Sequence, residues 1–296
     1  MEHTTEPGGR PLPGHIAAAL AGAGGATDSA GQPWAGRSLS GEDARIHNFE
    51  DDDGAADAGY LAALADLASG AGDEAAVVAS LASARVFVPI LASLAEEGDA
   101  VAGAHGGEVH GDKQADMALV TLKAPDGRTA LPVFTSAEAL AAWHAAARPV
   151  AVYAARAALS AVAEGAELLV LDPGSATTFV VRRPAVWALA RQHAWLPSYS
   201  DPVVAEAVGA AAAGVPALRR VEIHPGGGVA SAQAGGRQLP GGGAGPELRV
   251  VLYLEDGLDP AAVQSIVAGL NDAWARNDTF AERVDSIEIK LQRAAQ

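Results

Sequence analysis

Apolar positions in this chain fall into short, sharply bounded runs, and their spacing switches repeatedly between helical and alternating. Tyr60, Leu61, Leu64 and Leu67 recur at three- and four-residue intervals and so share one helix face. Val77, Val78 and Leu81 repeat the pattern behind Asp73, whose short carboxylate suits a helix N-cap. Residues 85–91 (RVFVPIL) are a β-rich run, and Pro89 within it predicts an edge strand or a bulge, because proline donates no ladder hydrogen bond. Residues 117–122 (MALVTL) and 130–134 (ALPVF) flank Pro125-Asp126-Gly127 and are expected to pair as a hairpin. Ser136 then caps a helix reaching Trp143. Residues 149–152 read as a strand and 154–164 as a helix ending at Gly165. Residues 168–171 (LLVL) form a buried type of strand, stopped by Asp172-Pro173-Gly174, with 177–181 as its hairpin partner. Pro184 opens a helix carrying Trp187 and Leu189, and Asp201-Pro202 opens another through Ala213.

The pattern beyond this point is simpler. Strands over 218–223 and 248–254 lie either side of a glycine-rich stretch, 226–246, which reads as a flexible linker or loop. Asp259 and Pro260 supply an N-cap and a first-turn proline for a helix with Val263, Ile266, Val267, Leu270 and Trp274 on one face. Residues 286–291 (SIEIKL) alternate strictly, as a half-buried strand does. The expected fold is therefore α/β to α+β. A mixed sheet with flanking helices occupies residues 40–215, and a small β-β-α-β domain, one helix on an antiparallel or mixed sheet, occupies 216–296. Residues 1–39, rich in Gly, Pro, Ala and Thr without a period, are expected to be a disordered tail.

Composition narrows the function. Aromatic residues make up only 5%, so the core is built of Ala, Val and Leu around anchors such as Trp143, Trp187, Trp195, Trp274, Phe87, Phe134 and Phe179. The chain carries 36 acidic and 20 basic residues, for a net charge of −16. Its densest basic pairs are Arg182-Arg183 and Arg219-Arg220, too few to neutralise a nucleic acid or an anionic membrane surface. Part of the acidity is local to residues 1–60, including the run 50–53, which suits a solvated tail or a docking tail for a basic partner. There is no cysteine, which excludes disulfides, thiolate nucleophiles and cysteine zinc sites and fits a cytoplasmic location. Residues 16–23 lack a basic flank and are too short for an anchor, while 203–218 are broken by Glu206, Gly214 and Pro216, so neither signal peptide nor membrane span is expected.

The order of motifs resembles a known family. Residues 112–136 (DKQADMALVTLKAPDGRTALPVFTS) are similar to the SseB N-terminal domain, with its strand-turn-strand and closing P-x-F-T-S. The similarity runs on through residues 139–143, 147–150, 169–173 (LVLDP) and Arg183-Pro184. Residues 248–291, with Gly257-Leu258-Asp259 and Arg283-Val284-Asp285-Ser286, resemble the C-terminal domain of the same family. Heavy use of Ala, Gly and Arg beside three lysines suggests a high-GC bacterial version. The resemblance implies a family named for a serine-sensitivity phenotype, with a related domain described in connection with type III secretion. It brings no established catalytic residues.

Two groups of residues carry candidate chemistry. His105, Glu108, His110 and Asp112 are potential metal ligands within one short segment, but the surrounding glycines and the absence of an H-E-x-x-H spacing favour an ordinary loop. Thr135, Ser136 and Asp172 follow strands, where open α/β sheets place ligands. Their hydroxyls and carboxylate, with Arg85 or Arg183 for positive charge, would suit an amino acid; the plain alternative is that Ser136 caps a helix and Asp172 begins a turn. No P-loop, dinucleotide fingerprint or G-x-S-x-G elbow is present, and no cofactor is expected. The first expectation is a non-enzymatic binding or regulatory protein acting through a protein partner or self-association. The alternative is a small-molecule sensor with a pocket near Ser136 and Asp172, and an enzyme with an unrecognised site comes last.

Overall fold

The computed structural model describes residues 49, 52–93, 116–124, 126–233 and 237–294. The expected tail, 1–39, and the candidate metal ligands His105, Glu108, His110 and Asp112 lie outside the described residues. The elements within them are arranged around three sheets, in a mixed α+β fold.

Helix α1 (Ala58–Ser69) is capped by Asp57, which accepts from Tyr60 N at 2.9 Å, and α2 (Glu74–Ser80) by Asp73, which accepts from Ala76 N at 2.8 Å. Both caps satisfy amides that a helix start leaves orphaned. Strand β1 (Arg85–Ser93) is the middle strand of an antiparallel sheet, between β2 (Asp116–Leu119) and β5 (Arg148–Tyr153). A proline there contradicts the edge or bulge expected of Pro89, and the register explains it. Pro89 lies opposite Pro149, so neither missing N–H breaks that ladder. On its other side β1 meets Phe134 at Phe87 and β2 only from Ile90 onward, so Pro89 falls in the gap between partners.

The run 117–122 does not form one strand of a hairpin. Its first part, β2, pairs with β1, and only the short β3 (Leu122–Lys123) pairs with β4 (Thr129–Val133) around Gly127. The chain crosses from one sheet to the next at residues 120–121, which leaves a stub for the turn. The large sheet runs β10 (Gln238–Pro240), β9 (Ala230–Gln233), β7 (Thr177–Val181), β6 (Leu168–Leu171), β4 and β3. Strands β4 and β6 are parallel, and β6 and β7 antiparallel as expected. Leu131, Val133, Leu168, Leu169, Leu171, Phe179 and Val181 are buried in it. Helix α3 (Ala137–Trp143) sets Leu140 against Phe87 and Phe134. Helices α4 (Ala154–Ala163) and α5 (Arg183–Ala190) pack together, and the buried Ala154, Ala157, Ala158 and Ala161 leave their backbones free to approach closely.

The glycine-rich stretch is not a free loop. Residues 230–233 form β9 (Ala230–Gln233), which pairs with β7, and 238–240 form β10 (Gln238–Pro240), which pairs with β9. The third sheet runs β12-β11-β8, with β11 (Leu248–Leu254) parallel to β12 (Ile287–Arg293) and antiparallel to β8 (Leu218–Pro225). One face of it is covered by α7 (Pro260–Ala275) and also by α6 (Pro202–Ala212), because Val204 and Val208 turn toward Leu248, Val250 and Leu252. A short α8 (Asp278–Arg283), unannounced by spacing and capped by Asn277, stacks Phe280 on the buried Trp274 at 5.6 Å. No helix among the described residues is long and apolar enough to cross a membrane.

Candidate functional site

The structure brings together some of the residues singled out at the strand ends. Thr135 follows β4 and Asp172 follows β6, and because those strands are parallel neighbours their ends meet. Asp172 accepts from Thr135 N at 2.8 Å and from Thr135 Oγ1 at 2.6 Å, using both carboxylate oxygens. Burial pushes its carboxyl above the ordinary range, and the two Thr135 hydrogen bonds oppose that shift. Ser136 caps α3 by accepting from Ala139 N at 3.1 Å. Arg85 grips Asp52 at 2.6 Å and donates to the carbonyls of Thr135 and Ala55. The Arg85 hydrogen bond holds the Asp52 carboxyl below its usual range. Arg183 turns elsewhere: it donates to Val284 O at 3.1 Å and lies 5.2 Å from the centre of the Trp187 ring. Hydrogen bonds within the fold thus already occupy the Thr135 hydroxyl and both oxygens of Asp172.

A larger polar cluster, missed by sequence reasoning, surrounds the glycine-rich hairpin. Arg182 directly follows β7, has a fully buried side chain and donates to Gly245 O at 2.7 Å and to Gly228 O and Gly242 O at 2.8 Å each. Glu74 at the start of α2 accepts from Gly242 N at 2.9 Å and from Tyr199 Oη at 2.8 Å. Glu247 accepts from Ser198 N and Asp285 N, and both carboxylate oxygens of Asp285 accept from Arg128 Nη1, at 2.8 and 3.0 Å. Burial raises the Glu74 carboxyl, and burial pushes Glu247 up to about 7 against its two backbone donors. The only sign of this in the sequence was Arg182 itself, a charge placed directly after the apolar run of β7. Beside the cluster lies a cleft of about 390 Å³, lined by Asp126, Arg128, Glu167, Pro246, Asp285 and Ser286 among others.

The third feature is the outer edge of β12. Leu248 N reaches Ser286 O at 3.0 Å and Ala294 N reaches Leu254 O at 2.9 Å. The even-numbered residues of β12 therefore aim their backbone groups at β11, and Ile287, Ile289, Leu291 and Arg293 aim theirs outward. No strand among the described residues pairs with them. Ile287 and Ile289 pack on the sheet's core, while Leu291, next on the same face, is 49% exposed. On the opposite face Glu288 pairs with Arg249 at 2.5 Å, which holds its carboxyl below the usual range, and Lys290 is exposed.

No curated protein and no solved structure matches this chain. Residues 61–188 match the family model for the SseB protein N-terminal domain. The match runs from α1 into α5, so it takes in Thr135, Asp172 and Arg182 and leaves the hairpin and the β12 edge outside. Residues 61–188 are thus similar to the N-terminal domain of the SseB family.

Proposed function

We propose that this chain is a non-enzymatic SseB-type binding protein whose working surface is the outer edge of β12, where it takes up an extended polypeptide segment. One observation carries the reading: Ile287, Ile289, Leu291 and Arg293 present outward backbone groups beside a ledge of partly exposed apolar side chains. An added strand gains main-chain hydrogen bonds from such an edge and specificity from its alternate side chains. In this reading residues 248–291 serve as the family's C-terminal domain, and the cysteine-free composition supports a bacterial cytoplasmic setting. The test places a photo-crosslinking amino acid at the exposed Arg293 position of the full chain in its native cells. An adduct identified by mass spectrometry, and lost when Leu291→Pro removes an outward N–H, supports the reading. Capture that persists unchanged in Leu291→Pro overturns it.

A second reading, a small-molecule sensor, draws on the cleft beside Arg128, whose volume of about 390 Å³ falls in the range of small-ligand pockets. Its test is a thermal-shift screen of amino acids and amines. A ligand-dependent rise in Tm that Glu167→Ala abolishes supports it, and no rise with any of them removes it.

A further inference from the structure

The side-chain order of β12 selects an occupant, and this inference rests on the reading that its edge takes up a strand. We propose that the occupant is a second copy of this chain, with β12 antiparallel to the partner's β12 and Ile289 opposite its counterpart.

Backbone parity limits the choices. Only outward-facing residues can exchange hydrogen bonds across the new ladder, so Ile287, Ile289, Leu291 and Arg293 must lie opposite members of the same set. With the two copies of Ile289 opposed, Ile287 faces the other copy's Leu291, and Glu288 faces the other copy's Lys290. Opposite charges directly across a ladder stabilise it and like charges destabilise it. The nearest alternative registers that keep the parity set Glu288 against Glu288 or Lys290 against Lys290. The central register avoids both clashes and makes its favourable pairs twice, as a two-fold interface does. It also covers Leu291, the exposed end of the apolar ledge, with Ile287 of the other copy. Lys290 is exposed and, among the described residues, has no carboxylate within ion-pair distance; its charge acts on Glu288 of its own chain only from farther away.

The other edge of the same sheet lacks these features. Strand β8 ends in Pro225, which has no N–H to offer. Both of its arginines are paired within the protomer, Arg219 with Glu255 and Arg220 with Glu222, whereas on β12 Glu288 is paired with Arg249 but the exposed Lys290 has no such partner among the described residues. The assembly is therefore a continuous sheet ordered β8-β11-β12 and then β12-β11-β8 in the second copy.

The absence of cysteine makes the test clean, since each introduced thiol is unique. In the proposed register the two Cα atoms of residue 289 lie about 5.5 Å apart, within reach of a disulfide. Mild oxidation of full-length Ile289→Cys should give a covalent dimer. Leu291→Cys alone should not, because its two copies are offset by four residues, about 13 Å. An equimolar mixture of Ile287→Cys and Leu291→Cys chains should crosslink. Sedimentation should show a dimer whose Kd rises roughly ten-fold in Lys290→Glu, and recovers at least in part in Glu288→Lys/Lys290→Glu. A chain that sediments as a monomer and does not crosslink through Ile289→Cys overturns the proposal, and so does stronger crosslinking at Leu291→Cys. If that happens while Leu291→Pro still abolishes capture of a different polypeptide, the second copy is excluded and the edge reading stands. If Leu291→Pro abolishes nothing, both fall.

Discussion

The glycine-rich hairpin and the β12 edge handle backbone polarity in opposite ways. In the hairpin, the carbonyls of Gly228, Gly242 and Gly245 converge on one buried guanidinium, and Gly242 N is taken by Glu74. Along β12, every second residue leaves its N–H and C=O facing outward. Of these two segments, the one of looser composition is held by buried side chains, and the one of more regular pattern is left open along one edge. Composition reports how much freedom a free chain would have; it does not report whether a buried charge will gather that chain's carbonyls.

The strongest way to break this contrast is to remove the cation. Arg182→Met should cost about 3–5 kcal/mol, the usual consequence of deleting one partner of a buried charge cluster. Three carbonyls lose their donor, and Glu74 and Glu247, both favoured in their charged forms by Arg182, should titrate higher still. Chemical denaturation measures the loss, and hydrogen exchange should show Ser231 and Leu239 amides opening while those of β11 remain protected. Equal loss of protection in β11 would mean that the cluster holds up the whole molecule rather than the hairpin.

The next effect depends on pH. Glu247 has an ordinary value of 4.5 and rises to about 7 in the fold because it is buried. The folded state therefore binds this proton more tightly than the unfolded state. The corresponding stability is fully present below pH 4.5 and is lost as pH rises through about 7, a span worth on the order of 3 kcal/mol. Glu74 and Asp172, also raised by burial, act in the same direction. Asp52, lowered by Arg85, acts in the opposite direction, its contribution being lost only as pH falls below its ordinary 3.8. Urea midpoints should consequently fall between about pH 4.5 and about pH 7. Glu247→Gln should flatten that slope and lower the whole curve, since its amide group cannot accept from both Ser198 N and Asp285 N. An unchanged slope would place the titration elsewhere.

These same residues show what the sequence could and could not disclose. The helix caps were legible because they are local: Asp73, Ser136, Asp201 and Asp259 each accept from an amide two or three residues on. So was the pairing of β6 with β7, which needs only a turn between two apolar runs. What escaped were facts set by distant segments. Residues 117–122 divide between two sheets because β1 and β4 each claim part of them. Helix α6 covers the C-terminal sheet because Val204 and Val208 find β11, a choice that periodicity does not encode. Strand ends alone suggested that Thr135 and Asp172 would meet, but that they would satisfy one another depended on the parallel register of β4 and β6. Arg182, Glu74, Glu247 and Asp285 come from four separate stretches, so their cluster had no motif to be read.

Gly242 offers a smaller probe of the hairpin side. It has φ 65°, and a Cβ there would overlap Ser231 Oγ and press within 3.0 Å of the Phe179 ring. Gly242→Ala should cost about 2 kcal/mol, combining left-handed strain with overpacking. Gly209→Ala is the control, because it lies in α6 with nothing within 4 Å of its added methyl. That change should stabilise by roughly 0.5–1 kcal/mol. If both substitutions proved neutral, the hairpin would not be tightly packed against β7.

The smallest expected effect on stability belongs to the open edge, and neighbouring residues make it a sharp comparison. Leu291→Pro removes an outward N–H and part of a half-exposed side chain, and should cost under about 1 kcal/mol. Lys290→Pro, one residue earlier, removes an N–H that serves the ladder to β11 and should cost about 3 kcal/mol. Denaturation of the two variants at a concentration low enough to keep the chain monomeric reads the parity of β12 directly. Equal costs would show that both sides of the strand are hydrogen-bonded within the protomer, and the contrast between the edge and the hairpin would vanish. Unequal costs in the stated order, together with loss of self-association in Leu291→Pro alone at matched folded fraction, would separate what the edge does for the fold from what it does for binding.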